Sequence, residues 1–332
     1  MHVARACAVA IAIAGCAAPV APLPEVFEPV FEHLSAGLLS VWGRSAEDVF
    51  TVGSDDGAGP MVLHFDGAGW ARLHTGETGG LWWVHGFGEG PSGPVFMGGD
   101  GGMILRYADG AFTRFATPGT GTVFGIWGDS PSDVLAVGGT MGADGFAWHF
   151  DGTRWTALTL PPGFAGESLF KVWGLAHDDA WIVGAGGVIL HYDGTALTSE
   201  VSPTRQTLFT THAIPGRTVA VGGAGNGVLL ERGLDGVWTN HAPRLAATLI
   251  GVWLDGDAGW AVGASGQVLR ERAGRWELDD TSPGLGGNAL HSVWVDPEGG
   301  VWAAGGQVLV VPIGDGVLLH RGRAIPGGTF SP

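Results

Sequence analysis

Apolar residues fall in short runs broken by Gly, Asp, Ser and Pro, and the runs return in one order along the chain. Leu39-Ser40-Val41-Trp42-Gly43 is followed by Asp48-Val49-Phe50-Thr51-Val52-Gly53, then by Met61-Val62-Leu63-His64-Phe65-Asp66-Gly67, and Trp70 closes the unit. The first segment comes back at Val84-His85-Gly86, Ile126-Trp127-Gly128, Val172-Trp173-Gly174, Thr211-His212-Ala213, Val252-Trp253-Leu254 and Val293-Trp294-Val295. With the Trp or His of each segment as marker there are seven copies, spaced by 43, 42, 46, 39, 41 and 41 residues. A period in this range marks a repeat architecture.

Each copy divides into four β-like segments, which for the first copy lie at 37–43, 48–54, 60–66 and 69–75 and are called A to D here. In A and B the apolar residues are adjacent and do not strictly alternate, the pattern of strands covered on both faces. Between C and D recur Asp66-Gly67, Asp109-Gly110, Asp151-Gly152, Asp193-Gly194 and Asp235-Gly236, which predict two-residue hairpins of type I′. Nothing helical of useful length appears. The pattern therefore predicts an all-β, seven-bladed β-propeller with four-stranded blades, closed because no blade can bury both of its faces alone. Gly316 to Gly322 matches a C segment, so residues 26–34 are expected to supply the outer strand of the last blade. The alternative register takes Gln307 to Pro312 as C and Val317 to Arg321 as D.

The N-terminal stretch adds a different element. Residues 1–15 carry Arg5 and an Ala- and Ile-rich run too short to cross a bilayer, the pattern of a secretory leader. Ile13-Ala14-Gly15-Cys16 resembles the lipobox of bacterial lipoproteins, which implies cleavage before Cys16 and lipidation of its thiol. The alternative is an ordinary leader with an incidental cysteine. The expected organisation is a leader at 1–15, a lipidated tether at 16–25 and one propeller at 26–332. Cys7 then leaves with the leader, and the domain holds together by packing without a disulfide. The resemblance places the protein in the bacterial cell envelope, and Ala17 after the modified cysteine points to the outer membrane.

Charge narrows the partners. A formal charge of −16, with 16 basic residues against 32 acidic ones, argues against nucleic acid and against an anionic membrane surface, leaving the N-terminal lipid as the expected membrane contact. Lys171 is the only lysine.

The Asp-Gly-x-x-Trp corners at Asp66 to Trp70 and Asp151 to Trp155, with the preceding Val-Gly and apolar C segment, resemble the BNR/Asp-box propellers. They are similar to the photosystem II assembly factor-like propellers and to bacterial lipoproteins with Val-Trp-Gly repeats. The Asp box proper has a serine before the aspartate and a glycine two places after it, whereas here Gly directly follows Asp. The resemblance implies a binding or assembly scaffold and no sialidase chemistry.

Candidate chemistry is sparse. Tyr107 and Tyr192 sit where Phe65 and Phe150 sit in other copies, so neither reads as a sialidase nucleophile. His64, His149, His191 and His320 recur with the repeat and read as scaffold, and no metal-ligand spacing appears, so neither a metal nor another cofactor is expected. His85 and His212 replace the marker tryptophan, and His291 lies in the last A segment; these three break the pattern and are candidate ligand-binding residues, their alternative being satisfied core histidines. Trp83 and Lys171 occupy one variable slot, shared with Ser40, Gly125, Thr210, Gly251 and Ser292, where an aromatic and a cation would grip a sugar or a peptide side chain; blade-to-blade packing explains Trp83 equally well. Asp55, Asp56, Asp100 and Asp144 fall in B-to-C loops on the face propellers commonly use for ligands; their alternative is ordinary turn chemistry. The expected function is a lipid-anchored propeller that binds a protein or a surface polymer and performs no catalysis. The alternatives are a carbohydrate-active hydrolase or lyase using the loop carboxylates, and an assembly scaffold in an envelope complex.

Overall fold

The computed structural model describes residues 26–87, 93–140 and 142–328; the expected leader, Cys16 and the tether lie outside them. Seven antiparallel four-stranded sheets follow one another along the chain. Blade 1 consists of Leu38–Ser45, Asp48–Asp55, Pro60–Phe65 and Trp70–Arg72, which are its strands A to D from the centre outward. The A strands touch in sequence around the ring, and that of blade 7, Ala289–Val295, returns to that of blade 1. This is the seven-bladed β-propeller expected from the repeat.

Blade 7 resolves the closure. Its strands A to C are Ala289–Val295, Val301–Gln307 and Gly314–Arg321, and its outer strand is Glu28–Leu34, paired through Glu28 with His320 and Phe31 with Leu318. Phe27, Val30 and Phe31 are buried, Phe31 edge-on to Trp70 of blade 1 at 5.3 Å and Phe27 edge-on to Trp260 of blade 6 at 6.0 Å. Burying such side chains contributes roughly 1.5–3 kcal/mol each, so the first strand ties three blades together.

The core is a set of wedges between blades. One wedge joins Val49, Leu63 and Phe65 of blade 1 to Trp294, Trp302 and Leu318 of blade 7, and the pattern repeats around the ring. In blades 1 to 4 a glycine follows the marker residue and belongs to this stacking. A Cβ on Gly86 would stand 2.3 Å from the Trp42 ring, and one on Gly174 2.5 Å from the Trp127 ring. The marker ring of one blade thus lies on the glycine of the next for Trp294 over Gly43, Trp42 over Gly86 and Trp127 over Gly174, while Gly128 faces Phe87. The glycine ending strand B has a second role: a Cβ on Gly263 would meet the Thr248 carbonyl at 2.0 Å, because the start of strand A folds closely over it.

The Asp-Gly corners depart from the type I′ expectation in most blades. Only Asp109-Gly110 has both residues at positive φ (51° and 78°) between directly paired strands; Ala273-Gly274 of blade 6 forms the same turn without an aspartate. In blades 1, 3 and 4 the loop is four residues long, as Phe65 pairs with Trp70 across residues 66–69. There the aspartate carboxylate accepts the N–H groups two and three residues on, as Asp66 does from Ala68 and Gly69, both at 2.9 Å. Capping by the side chain lets the aspartate keep an ordinary φ, and only the glycine turns left-handed. Three of the four recurring strand C histidines bond to an aspartate opening strand B, His64 to Asp48 at 2.9 Å, His149 to Asp133 at 2.7 Å and His191 to Asp179 at 2.9 Å, while His320 bonds to the Arg323 carbonyl at 2.9 Å.

Candidate ligand site at the channel mouth

Every A strand breaks its pairing at one place. In blade 1 Leu38 pairs with Gly53 and Ser40 with Val52, which leaves Leu39 as an extra residue. The same bulge expels Trp82, Phe124, Phe170, Phe209, Ile250 and His291 in the other six blades. A bulge re-aims the side chain it carries. Repeated seven times, it sends a ring of large side chains into the centre of the propeller.

Six of these residues, Trp82 to His291, line a cavity of about 200 Å³. Trp82 meets His291 at 6.1 Å and Phe124 at 5.0 Å, Phe124 meets Phe170 at 5.3 Å, and Phe170 meets Phe209 at 5.7 Å. Aromatic edges and faces thus form an arc over five blades. Residues 308–313, the B-to-C loop of blade 7, make a lip: Val308 is buried against the ring, while Leu309, Val310 and Val311 are 55%, 58% and 87% exposed. Three consecutive exposed apolar residues beside an apolar cavity are the kind of patch that marks an interaction site.

Three polar residues line this cavity, Lys171, His291 and the buried Thr210. Lys171 is 3% exposed, donates to the Phe124 carbonyl at 3.0 Å and lies over the Trp83 ring at 3.2 Å. Burial drives its amine well below the ordinary lysine range. His291 donates from Nδ1 to the Leu39 carbonyl at 2.6 Å. Its pKa is lowered to about 4 by burial and by the charge on Lys171, against the opposing pull of the Leu39 carbonyl.

The candidate residues read from the sequence separate into three places. Lys171 and His291 line the cavity, with Trp83 beneath the Lys171 amine. His85 and His212 lie in the ring of marker residues, away from this cavity. The His212 ring packs against Trp173 at 4.3 Å and Trp253 at 4.2 Å, and its Nδ1 accepts the Leu254 N–H at 3.2 Å. His85 contacts Phe87 at 5.0 Å and Trp173 at 5.7 Å. Burial lowers His85 to about 4, against a hydrogen bond to the Gly128 backbone, and lowers His212 to about 3.

The four aspartates hold loops. Asp55 accepts the N–H groups of Gly57, Gly59 and Gly79 at 2.7–3.1 Å. Asp56 takes two hydrogen bonds from Arg72, both 2.8 Å, which keep its carboxyl far below the usual range. Asp144, at φ 54°, accepts from the Thr140 hydroxyl at 3.2 Å. Asp100 acts on the cavity indirectly: it accepts Trp82 Nε1 at 2.9 Å and the Gly80 N–H at 2.8 Å, which fixes the indole in the ring. Among the described residues no group of three or more His, Cys, Asp or Glu is placed to hold a metal ion.

The residues that sequence reasoning passed over are Leu39, Trp82, Phe124, Phe170, Phe209 and Ile250. Their signal was a pair of bulky residues before the variable slot, Leu-Leu, Leu-Trp, Val-Phe, Leu-Phe, Leu-Phe and Leu-Ile, where a regular strand would point the second away from the first.

The sequence matches no family model and no curated protein. Solved structures do resemble it. YCF48 from Cyanidioschyzon merolae superposes with a TM-score of 0.65 at 17% identity, covering 89% of this chain and 98% of that one. YCF48 bound to D1 peptide gives 0.67 at 14% identity, covering 91% and 100%. The likeness is one of fold. The WD40 β-propeller domain of Doa1 matches as well, 0.67 at 11% identity over 89% and 96%, so one architecture carries quite different sequences.

Proposed function

We propose that the protein is a binding scaffold whose channel mouth receives an apolar segment of a partner protein. The observation that carries this reading is the ring of seven bulged residues opening beside the exposed lip at Leu309 to Val311. The peptide complex of the structurally similar YCF48 supports it at the level of the fold. Binding is favoured over carbohydrate hydrolysis because Asp55, Asp56 and Asp100 already accept hydrogen bonds that hold loops. Hydrolysis needs two carboxylates free to face the scissile bond.

Selection from a displayed library of random peptides tests this. Apolar peptides should be enriched on the native protein and lost on Phe170→Asp/Leu309→Asp with its melting transition intact. Selected peptides that bind the double variant equally well would refute it. Export and anchoring through Cys16 belong to the same proposal, supported by Ile13-Ala14-Gly15-Cys16. Radiolabelled palmitate should enter the native protein in bacterial cells and be absent from Cys16→Ser.

A further inference from the structure

The only lysine of the chain lies inside the propeller. Lys171 leaves strand A of blade 4 and ends over Trp83 of blade 2, with the carbonyl of Phe124 in blade 3 as its hydrogen-bond acceptor. Blades 3 and 4 approach closely enough here that a Cβ on Gly125 would lie 3.0 Å from the Lys171 Cα. Withdrawing an ammonium from water costs several kcal/mol, and such a group normally has a carboxylate beside it. Here it has an aromatic face and a neutral carbonyl. Burial alone accounts for its shift, with no acidic neighbour opposing it among the described residues. The second basic group of the cavity, His291, feels the charge of Lys171 and likewise lacks an acidic partner; its one bond goes to the Leu39 carbonyl. The cavity thus brings together two basic side chains, Thr210 and an apolar wall, with no carboxylate among its lining residues.

We propose that this cavity is a binding site for a small monocarboxylate with an apolar body. The carboxylate pairs with Lys171 Nζ, and the hydrocarbon lies against Phe124, Phe170, Phe209 and Ile250. Because Nδ1 of His291 donates to Leu39, its Nε2 carries a lone pair that takes up a proton once an anion is present. A cavity of about 200 Å³ is far above the roughly 10–15 Å³ that admits one water, so it has room for the body of a small fatty acid. Longer or branched bodies would extend beneath the lip at Leu309. The inference goes beyond the peptide-binding proposal and stands or falls separately, since a small acid can occupy the cavity whether or not a protein docks at the mouth.

Hexanoate is the probe, with hexanol and hexylamine as matched controls, titrated calorimetrically into the purified protein. Hexanoate should bind at least tenfold more tightly than hexanol, and hexylamine should give no heat. Lys171→Met, which keeps length and volume while removing the charge, should weaken hexanoate at least tenfold and leave hexanol unchanged. Equal affinity for hexanoate and hexanol, or undiminished hexanoate binding to Lys171→Met, overturns the assignment. The native-protein comparison decides the matter even if the variant fails to fold.

Discussion

Acid should weaken this propeller well above the pH at which its carboxylates titrate, because two histidines are packed as neutral rings among the marker tryptophans. A histidine in the unfolded chain titrates near 6.5, whereas folding lowers His85 to about 4 and His212 to about 3. Below pH 6.5 the unfolded chain therefore binds protons at these two positions that the folded chain refuses, as it also does at His291 of the cavity, and stability falls as the pH falls. Each histidine contributes a slope of about 1.4 kcal/mol per pH unit. Between pH 6.5 and pH 4 the loss is about 3 kcal/mol per histidine, or about 6 kcal/mol together, against a usual total of 5–15 kcal/mol. Asp48 and Asp296 have pKa values lowered from 3.8, so their loss falls below that window. Urea titrations at several pH values from 7 to 4.5 measure the slope. His85→Phe and His212→Phe keep a ring in place and remove the proton site. At pH 7 His212→Phe should lose about 1–3 kcal/mol, because the Leu254 N–H loses its acceptor. Below pH 6.5, however, each substitution should flatten the slope by about 1.4 kcal/mol per unit. A double variant with the same slope as the native protein would show that these rings are protonated in the fold, and the reasoning would fail.

Phe31→Ala should cost about 3–5 kcal/mol in urea denaturation, since it empties the seam between the first strand and Trp70; a loss below 1 kcal/mol would remove that strand from the ring's stability. Gly263→Ala should destabilise by about 1–3 kcal/mol or more, because its Cβ meets the Thr248 carbonyl, and near-native stability would contradict the close fold-over of strand A. Asp100→Ala orphans Trp82 Nε1, so the near-ultraviolet circular dichroism should lose tryptophan fine structure and the protein about 1–3 kcal/mol; an unchanged spectrum would argue against the Asp100 anchor.

The sequence by itself determined the number of blades, their four-strand plan and the source of the closing strand. Those features are periodic: a unit too thin to bury its faces must repeat its apolar pattern wherever it repeats its contacts, as Trp42, Trp127 and Trp294 do. The aspartate corners were visible as turns, but their length was not, because an aspartate that caps the loop with its own carboxylate and one that adopts a left-handed φ leave the same two letters in the chain. The site was less legible still. Lys171 stood out in a variable slot and His291 as a break in the repeat, yet His85 and His212 break it too, and composition alone does not separate a cavity wall from a packed ring. Tertiary structure separated them. The bulge in each A strand turns one residue per blade into the channel, and only closure of the ring brings residues roughly forty positions apart to face one another around a common centre.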